Sequence, residues 1–215
     1  MNDTAVRAIP HRVHLVGVGG VHMSAIACLL RHRGHEVTGS DLHRSPLTEA
    51  VERYGVTVHA GHSAENIDDA ELVVYTSAVR EGNPELEEAR RRGIPTMKRG
   101  EMVALLQEGK QVIAVAGAHG KTTTSSLIAY LLSRAGLDPT AVIGGRLSAF
   151  GSNARLGRGA YMVVEADESD RSFLRFSPTI ALVTNVDREH LENYRDYDDL
   201  CQAFRGGRKF CRSRC

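Results

Sequence analysis

The sequence predicts an α/β fold with two domains: a Rossmann-like domain with a parallel sheet, followed by a second α/β domain around another glycine-rich turn. Short apolar runs alternate with stretches of helical periodicity, a pattern typical of βα units and parallel strands. The two glycine-rich turns that join a strand to a helix lie about 100 residues apart, which favours two domains over one. We place the boundary near Leu106–Lys110, with domains at residues 1–107 and 108–215.

The first domain begins with an apolar strand at Val13–Val16 that runs into the turn Gly17-Val18-Gly19-Gly20. Apolar residues then recur at helical spacing up to Leu30, and Gly34 ends that helix. Proline at the first position of a helix and glycine after its last residue are the usual end signals. The later elements are a strand at Glu36–Gly39 closing with Asp41, a strand at Leu72–Tyr75, and a helix that Asn83-Pro84 begins and Gly93 ends.

The second domain opens with the fully apolar strand Val112–Ala116, which leads into GAHGKTTT and a helix at Thr122–Ala135. Two further strands are predicted at Tyr161–Val164 and Thr179–Val183. Each runs directly into polar residues. Because the carboxyl ends of parallel strands share one edge of a sheet, we expect the residues after these three strands to lie together, where ligands bind.

Composition and charge exclude several classes of protein. The 215 residues carry 27 Lys and Arg against 26 Asp and Glu, and 42% are hydrophobic, which is ordinary for a globular chain. There is no apolar run long enough to cross a bilayer and no secretory signal, so the expected location is the cytoplasm. The four cysteines lack the spacing of metal ligands, and disulfides are not expected. Residues 205–215 contain five basic residues and no acid, which we interpret as a solvated or artefactual terminus rather than a nucleic-acid site.

The segment GAHGKTTT lies between a strand and a helix, the context that makes a P-loop credible. Backbone N–H groups of such a loop point at phosphate oxygens, and the helix dipole favours their charge. Lys121 would lie between the β- and γ-phosphates of ATP, and the Thr122 hydroxyl would bind Mg²⁺. Only two residues separate the glycines here, where the common loop has four. The predicted ATP-binding residues are Gly117, Ala118, His119, Gly120, Lys121, Thr122 and Thr123.

Acidic and polar residues follow the next two strands. Glu165 comes directly after its strand and is the favoured second Mg²⁺ ligand, with Asp167 as an open alternative. Asn185 and His190 follow the third strand. His190 could bind a second metal ion or orient substrate, and a surface role for it stays equally open.

The N-terminal turn has the first two glycines of a dinucleotide fingerprint, and Asp41 lies near the position of its ribose-binding acid. His22 occupies the third fingerprint position, so spacing alone is weak support for an NAD site. The turn could still hold the pyrophosphate of another nucleotide, because the helix N-terminus supplies donors.

Seven segments together resemble the Mur ligase family, over roughly Arg12 to Phe204. The combination of a GxGG turn, GAHGKTTT and EADESD is highly specific. The segments are HLVGVGGVHMSAIA, GHSAENI, TSAVREGNPE, IPTMKRGEMVALL, AGAHGKTTT, EADESDRSFL and TNVDREHLENY.

The resemblance implies an ATP- and Mg²⁺-dependent ligase that joins L-alanine to the carboxylate of UDP-N-acetylmuramate through an acyl phosphate, in peptidoglycan precursor synthesis. Its partners would be these small molecules, without nucleic acid, and it gives no prediction of oligomeric state. It implies catalytic roles for Lys121, Asn185 and His190, and metal binding by Thr122, Glu165 and His190. The implied UDP-sugar-binding residues are Gly17, Gly19, Gly20, Ser24, Asp41, Ser77 and Asn83.

Two departures from the family pattern shape the expectation of activity. His22 stands where the family usually has glycine, so its side chain would crowd the pyrophosphate or, if protonated, assist its binding. The family also has a third, C-terminal domain, and the ending FRGGRKFCRSRC does not resemble the family. We therefore expect an incomplete P-loop domain and an inactive isolated chain that is either poorly soluble or dependent on a partner. The alternatives are a non-catalytic nucleotide-binding fragment, the related ligase that attaches a recycled tripeptide, and an NAD-dependent dehydrogenase, which would leave GKTTT and EADESD unused.

Overall fold

The computed structural model of the chain describes residues 8–76, 78–147, 152–166, 172–188 and 193–206. The chain divides into two compact units, Met1–Leu105 and Leu106–Cys215. Each unit contains its own sheet of five strands.

Over residues 8–76 and 78–106, the structure contains five strands and four helices, and the last helix ends one residue past the division. The elements are β1 (Arg12–Val16), α1 (Val21–His32), β2 (Glu36–Asp41), α2 (Pro46–Arg53), β3 (Thr57–Ala60), a 3₁₀ turn (Ala64–Ile67), β4 (Leu72–Tyr75), α3 (Pro84–Arg92), β5 (Thr96–Lys98) and α4 (Arg99–Leu106). All strands are parallel, in the order β3-β2-β1-β4-β5. The order reverses between β1 and β4, the point at which open α/β sheets bind ligands.

The core of the first unit lies around β1. The strand residues Val13, Leu15 and Val16 are buried, and so is every residue of α1 from Met23 to Leu30. Burial of a helix around so much of its surface is typical of a helix covered by a sheet and by a second helix. The expected strand and helix at the start of this unit are confirmed.

The predicted start of α3 is also confirmed, including its chemistry. Asn83 Oδ1 accepts hydrogen bonds from the N–H groups of Glu85 at 3.0 Å and Leu86 at 3.2 Å, and Pro84 is the first helical residue. Gly93 ends the helix in the left-handed conformation, with φ of +69°. Ser45 and Thr48 form a reciprocal capping box on α2, a helix that the sequence analysis missed.

The second unit is also an α/β unit, but its sheet is mixed. Its elements are β6 (Gln111–Ala116), α5 (Lys121–Arg134), β7 (Thr140–Leu147), β8 (Ser152–Arg155), β9 (Tyr161–Glu165), a 3₁₀ turn (Ser172–Arg175), β10 (Ile180–Val183) and α6 (Tyr197–Gly206). The order is β10-β6-β9-β7-β8, with β7 and β8 antiparallel and the other neighbours parallel. The three predicted strands therefore pair side by side, and their carboxyl ends share one edge, as expected.

The core of the second unit packs α5 against the sheet through Ile113, Ala129, Ala141, Ile143 and Val163. Several large apolar residues remain exposed on α5 and β10: Leu127, Tyr130, Leu131, Ile180 and Val183. Within the described ranges, no helix combines the length and apolar character needed to cross a membrane.

Candidate functional site

The loop between β6 and α5 is held in a conformation that requires glycine at both of its ends. Gly117 has φ of +123°, and a Cβ there would lie 2.3 Å from Thr184 Oγ1 and 2.6 Å from the Asn185 carbonyl oxygen. Gly120 has φ of +79° and precedes α5 without any side-chain cap. An N-terminal helix turn that is neither capped by a side chain nor occupied by acidic residues favours binding of an anion.

The ammonium of Lys121 folds back over this loop. Its Nζ donates to the Gly117 carbonyl oxygen at 2.6 Å and lies 3.5 Å from that of Ala118. A positive charge and a helix N-terminus therefore meet at one place, which is the arrangement that P-loops use for phosphate.

Asn185, at the carboxyl end of β10, brackets the loop from the other side. Its Oδ1 accepts from the His119 N–H at 2.9 Å, its Nδ2 donates to the His119 carbonyl at 3.0 Å, and its own carbonyl accepts from Ala118 N–H at 3.2 Å. The Thr184 hydroxyl also donates to the His119 carbonyl, at 2.6 Å. The residues that follow β10, the neighbour of β6 in the sheet, thus fix the path of the loop.

A hydroxyl and a carboxylate meet at the start of α5. Thr122 Oγ1 lies 3.3 Å from Glu165 Oε2, and Ser125 Oγ lies 3.0 Å from Glu165 Oε1. Hard oxygen donors of this kind fit Mg²⁺, which usually takes only one or two protein ligands and completes its shell with water and phosphate oxygens. Among the described residues, no group of three or more His, Cys, Asp or Glu side chains could hold a metal by itself.

Gly145 on β7 allows the close approach of α5 to the sheet at this point. A Cβ there would lie 2.8 Å from Thr122 Cγ2. Gly145 was not predicted as part of the site, because a glycine in a strand pattern does not show which group packs against it.

The first unit has a cleft of about 530 Å³ at the carboxyl ends of its central strands. Gly17, Asp41, His62, Thr76 and Asn83 are among its lining residues. The volume is within the range of small-molecule sites. Three of the predicted UDP-sugar residues, Gly17, Asp41 and Asn83, are therefore brought to one cavity.

The carboxylate of Asp41 contacts the glycine turn between β1 and α1. Its Oδ2 accepts from the Gly19 N–H at 2.8 Å, and its Oδ1 accepts from the His43 N–H at 3.2 Å. A Cβ on Gly19 would lie 2.7 Å from Asp41 Oδ2, so the small residue permits this contact.

Comparison with known proteins gives two adjacent family matches. The family model described as "Mur ligase family, catalytic domain" matches residues 12–111, and the one described as "Mur ligase middle domain" matches residues 115–206. The chain belongs to the Mur ligase family. This membership favours the Mur ligase interpretation over the dehydrogenase alternative.

Relatives and solved structures agree with this Mur ligase assignment. The UDP-N-acetylmuramate–L-alanine ligase of Desulfatibacillum aliphaticivorans is 52% identical over 194 residues, which are 90% of this chain and 42% of the relative. The crystal structure of the UDP-N-acetylmuramate-alanine ligase of Thermotoga maritima has a TM-score of 0.87 at 35% identity, over 93% of this chain and 47% of that one.

A second similar structure is that of a ligase with a different substrate. It is the UDP-N-acetylmuramate:L-alanyl-gamma-D-glutamyl-meso-diaminopimelate ligase from Neisseria meningitides, with a TM-score of 0.83 at 29% identity, over 91% of this chain and 67% of that one. Compared with the Desulfatibacillum relative, by contrast, this Mur ligase chain spans less than half of the length.

Two residues at the glycine turn of this Mur ligase chain, Ser24 and His22, make hydrogen bonds within the protein. Ser24 is buried, and its hydroxyl donates to the Val21 carbonyl at 2.9 Å inside α1. His22 Nδ1 lies 2.9 Å from Arg99 Nη1. Because a guanidinium only donates, His22 Nδ1 must accept, so the suggestion that a protonated His22 assists a pyrophosphate is not supported by this contact.

Several predicted residues of this Mur ligase chain lie outside the described residues: Ser77, Asp167 and His190. The described site contains three further residues that the sequence analysis did not select as site residues, Ser125, His62 and Glu85. Glu85 is in the first turn of α3, where an acidic residue is ordinarily explained by the helix dipole. His62 is in GHSAENI, a segment in which no individual residue was predicted to have a role.

Proposed function

We propose that this chain carries the nucleotide-binding part of an ATP-dependent ligase that joins L-alanine to the carboxylate of UDP-N-acetylmuramate in peptidoglycan precursor synthesis. The observation that carries the proposal is the meeting of Lys121, the uncapped N-terminus of α5 and the Thr122–Glu165 pair. Relatives about 50% identical are UDP-N-acetylmuramate–L-alanine ligases, which supports the choice of substrates. We further propose that residues 1–107 form the UDP-sugar domain and residues 108–215 the ATP domain, and that the protein is cytoplasmic, where ATP is available.

In this proposal, ATP bound with Mg²⁺ would transfer its γ-phosphoryl group to the substrate carboxylate, which gives an acyl phosphate and ADP. The amine of L-alanine would then attack the acyl carbon, which forms the amide and releases inorganic phosphate and a proton. Lys121 and the N–H groups of the loop offset negative charge that would otherwise repel the approaching carboxylate. Thr122 and Glu165 would hold the Mg²⁺. Asn185 acts as a positioning residue, because its three contacts hold the backbone of the loop at Ala118 and His119 in place.

The cleft of the first unit would hold the UDP part of the sugar nucleotide. Gly17 and Gly20 border the N-terminus of α1, which favours a diphosphate. Asp41 and Asn83 line the cleft nearby and offer polar groups to a nucleoside.

The test is calorimetric titration of the chain with ATP in the presence of MgCl₂. Lys121→Ala should lower ATP affinity tenfold or more, since it removes the ammonium from the loop. Lys98→Ala is the matched control, because Lys98 is exposed and lies in the first unit. UDP-N-acetylmuramate should bind both variants as it binds the unaltered chain. Equal ATP affinity of Lys121→Ala and Lys98→Ala would refute the proposal.

A second candidate is the ligase that takes the tripeptide L-alanyl-γ-D-glutamyl-meso-diaminopimelate instead of L-alanine. The similarity to the Neisseria structure favours its consideration. The two are distinguished by which amine, supplied with ATP and UDP-N-acetylmuramate to the whole protein, gives ADP and an amide product.

A further inference from the structure

One carboxylate lies at the centre of the first unit with no exposure to solvent. Glu85 is 0% exposed, and so is His14, whose Nε2 lies 3.4 Å from Glu85 Oε1. A buried charge without partners would be strongly destabilising. The partners of Glu85 therefore indicate what this carboxylate does.

Three further side chains make closer contacts with Glu85. Asn66 Nδ2 donates to Oε1 at 2.7 Å, Ser40 Oγ donates to Oε2 at 2.8 Å, and His62 Nδ1 lies 2.9 Å from Oε2. These partners come from β2, from the residues after β3 and from the 3₁₀ turn, whereas Glu85 itself is on α3. Two of the segments that carry the family resemblance, GHSAENI and TSAVREGNPE, thus converge on one carboxylate.

These contacts keep Glu85 ionised at neutral pH. Burial raises its pKa, but the contact with His14, the hydrogen bonds from Asn66 and Ser40 and the positive charge that His14 carries when protonated together outweigh burial. The pKa of Glu85 is therefore below its ordinary value of 4.5. An ionised carboxylate can only accept hydrogen bonds.

The position of the proton on His62 follows from this geometry. Because the ionised carboxylate has no hydrogen to give, the Nδ1 atom of His62 must itself donate to Glu85 Oε2 at 2.9 Å. The Ser40 hydroxyl also lies 3.0 Å from Nδ1, but its hydrogen goes to Glu85 Oε2 at 2.8 Å, so it does not compete for the lone pair of Nδ1. A neutral imidazole with its proton on Nδ1 has a lone pair on Nε2. Within the part of the chain that the structure describes, His62 Nε2 has no hydrogen-bond partner, and His62 lines the cleft of about 530 Å³.

We propose that Glu85 is a positioning residue that fixes His62 with its proton on Nδ1, so that Nε2 accepts a hydrogen bond from an N–H or O–H group of the nucleotide in this cleft. The identity of that nucleotide as a uridine diphosphate rests on the proposed function; the position of the proton does not. Second-layer carboxylates orient metal-binding and catalytic histidines in the same way. Here the oriented atom serves recognition.

The variant Glu85→Gln tests the inference without changing the size of the side chain. Asn66 Nδ2 also donates to the Gly61 carbonyl at 3.2 Å, which holds the Asn66 amide in its orientation. The oxygen of the introduced amide would therefore face Asn66, and its NH₂ group would face His62 Nδ1. The NH₂ group and a protonated Nδ1 are both hydrogen-bond donors and cannot pair with each other. The proton of His62 should therefore move to Nε2, which then becomes a donor.

The measurement is ¹⁵N NMR of the histidine rings at pH 8.5, where ordinary imidazoles are neutral. The exposed His32 and His43 serve as internal references in the same spectrum. We expect the proton on Nδ1 of His62 in the unaltered chain and on Nε2 in Glu85→Gln. A His62 that carries its proton on Nε2 in the unaltered chain overturns the inference, and this result needs neither a variant nor a ligand.

Calorimetric titration with uridine 5′-diphosphate tests the role in recognition. His62→Asn keeps a donor near the Nδ1 position for Glu85 but lacks the Nε2 atom. UDP affinity should fall about tenfold in both His62→Asn and Glu85→Gln, the effect expected for one lost hydrogen bond. With 3-methyluridine 5′-diphosphate, a similar fall in the unaltered chain identifies the base N–H as the donor, and unchanged affinity identifies a ribose hydroxyl.

Unaltered UDP affinity in His62→Asn overturns the recognition role. If the unaltered chain binds no UDP while the NMR places the proton on Nδ1, the proposed function fails and the positioning of His62 by Glu85 stands. The two failures are therefore distinguishable.

Discussion

Gly117 allows the backbone conformation of the P-loop and its packing to be tested separately. Gly117 and Gly120 both have positive φ, +123° and +79°, so alanine is strained at either position. A Cβ at Gly120 would meet nothing within 4 Å, whereas a Cβ at Gly117 would lie 2.3 Å from Thr184 Oγ1, 2.6 Å from Asn185 O and 2.9 Å from Asn185 N. Gly120→Ala is thus a matched control for Gly117→Ala.

We expect Gly120→Ala to lower the free energy of unfolding of the second unit by about 1–2 kcal/mol, the cost of a left-handed alanine. Gly117→Ala carries a backbone cost at least as large, because its φ of +123° lies further from the left-handed region, plus about 1–3 kcal/mol for overpacking against backbone that cannot rotate away. Native-state hydrogen exchange of the β6 amides gives these free energies for the second unit alone. Values for the two variants within about 0.5 kcal/mol of each other would refute the packing argument.

Three further outcomes follow from the described contacts. Glu165→Gln should weaken Mg²⁺-supported ATP binding about tenfold or more while ATP binding in EDTA is unchanged, because only the metal contact loses its charge; an equal loss in both titrations would contradict this. The pKa of Glu85 is lowered in the folded chain, so its stabilising contribution is complete above pH 4.5 and is lost as pH falls through the folded pKa. Urea unfolding from pH 6 to pH 3 should therefore show a fall in the free energy of unfolding that is smaller in Glu85→Gln than in the unaltered chain. An identical dependence of that free energy on pH in the two chains would contradict this. Burial raises the pKa of the Cys28 thiol to about 11, so at pH 8 only about one thiol in a thousand is ionised. Mass mapping after treatment with Ellman's reagent should therefore show Cys28 modified in urea but not in the native chain. Modification of native Cys28 as fast as that of the partly exposed Cys201 would contradict this.

The sequence was sufficient for elements whose pattern is local. β1, β4 and β6 are apolar runs bounded by turns, and α3 has both of its end signals, so their positions were predicted closely. β5 is three residues long, and the inward-facing positions of β3 are only partly buried, so neither has a readable alternation. Strands this short are defined by the neighbour they pair with, which a sequence pattern does not contain.

The hairpin of β7 and β8 was missed for a different reason. β7 contains Gly144 and Gly145, which lower the expectation of a strand, and its pairing with β8 shifts register between Val142 and Leu147. The glycine at 145 is explained only by the approach of Thr122 to within 2.8 Å of its hypothetical Cβ. The glycine that admits Thr122 at the candidate site thus weakens the sequence pattern of β7.

The candidate site could be predicted where chemistry follows a strand directly, as for the P-loop and Glu165. It could not be predicted for Glu85, because four of its contacts come from residues 19 to 71 positions away in the chain. A pattern shows which residue types are available, and the tertiary structure decides which of them meet.

The two glycine turns of this chain both follow a parallel strand, but the side chains that contact them carry opposite charges. The first turn donates the Gly19 N–H to the carboxylate of Asp41, and the second lies under the ammonium of Lys121. A carboxylate repels phosphate and accepts hydrogen bonds from hydroxyls, whereas an ammonium attracts phosphate. A sugar nucleotide carries its charge on the diphosphate and neutral donors on its ribose and base. We therefore expect the nucleoside end of a ligand near Asp41 and His62, while the denser charge of a triphosphate is favoured only at the second turn.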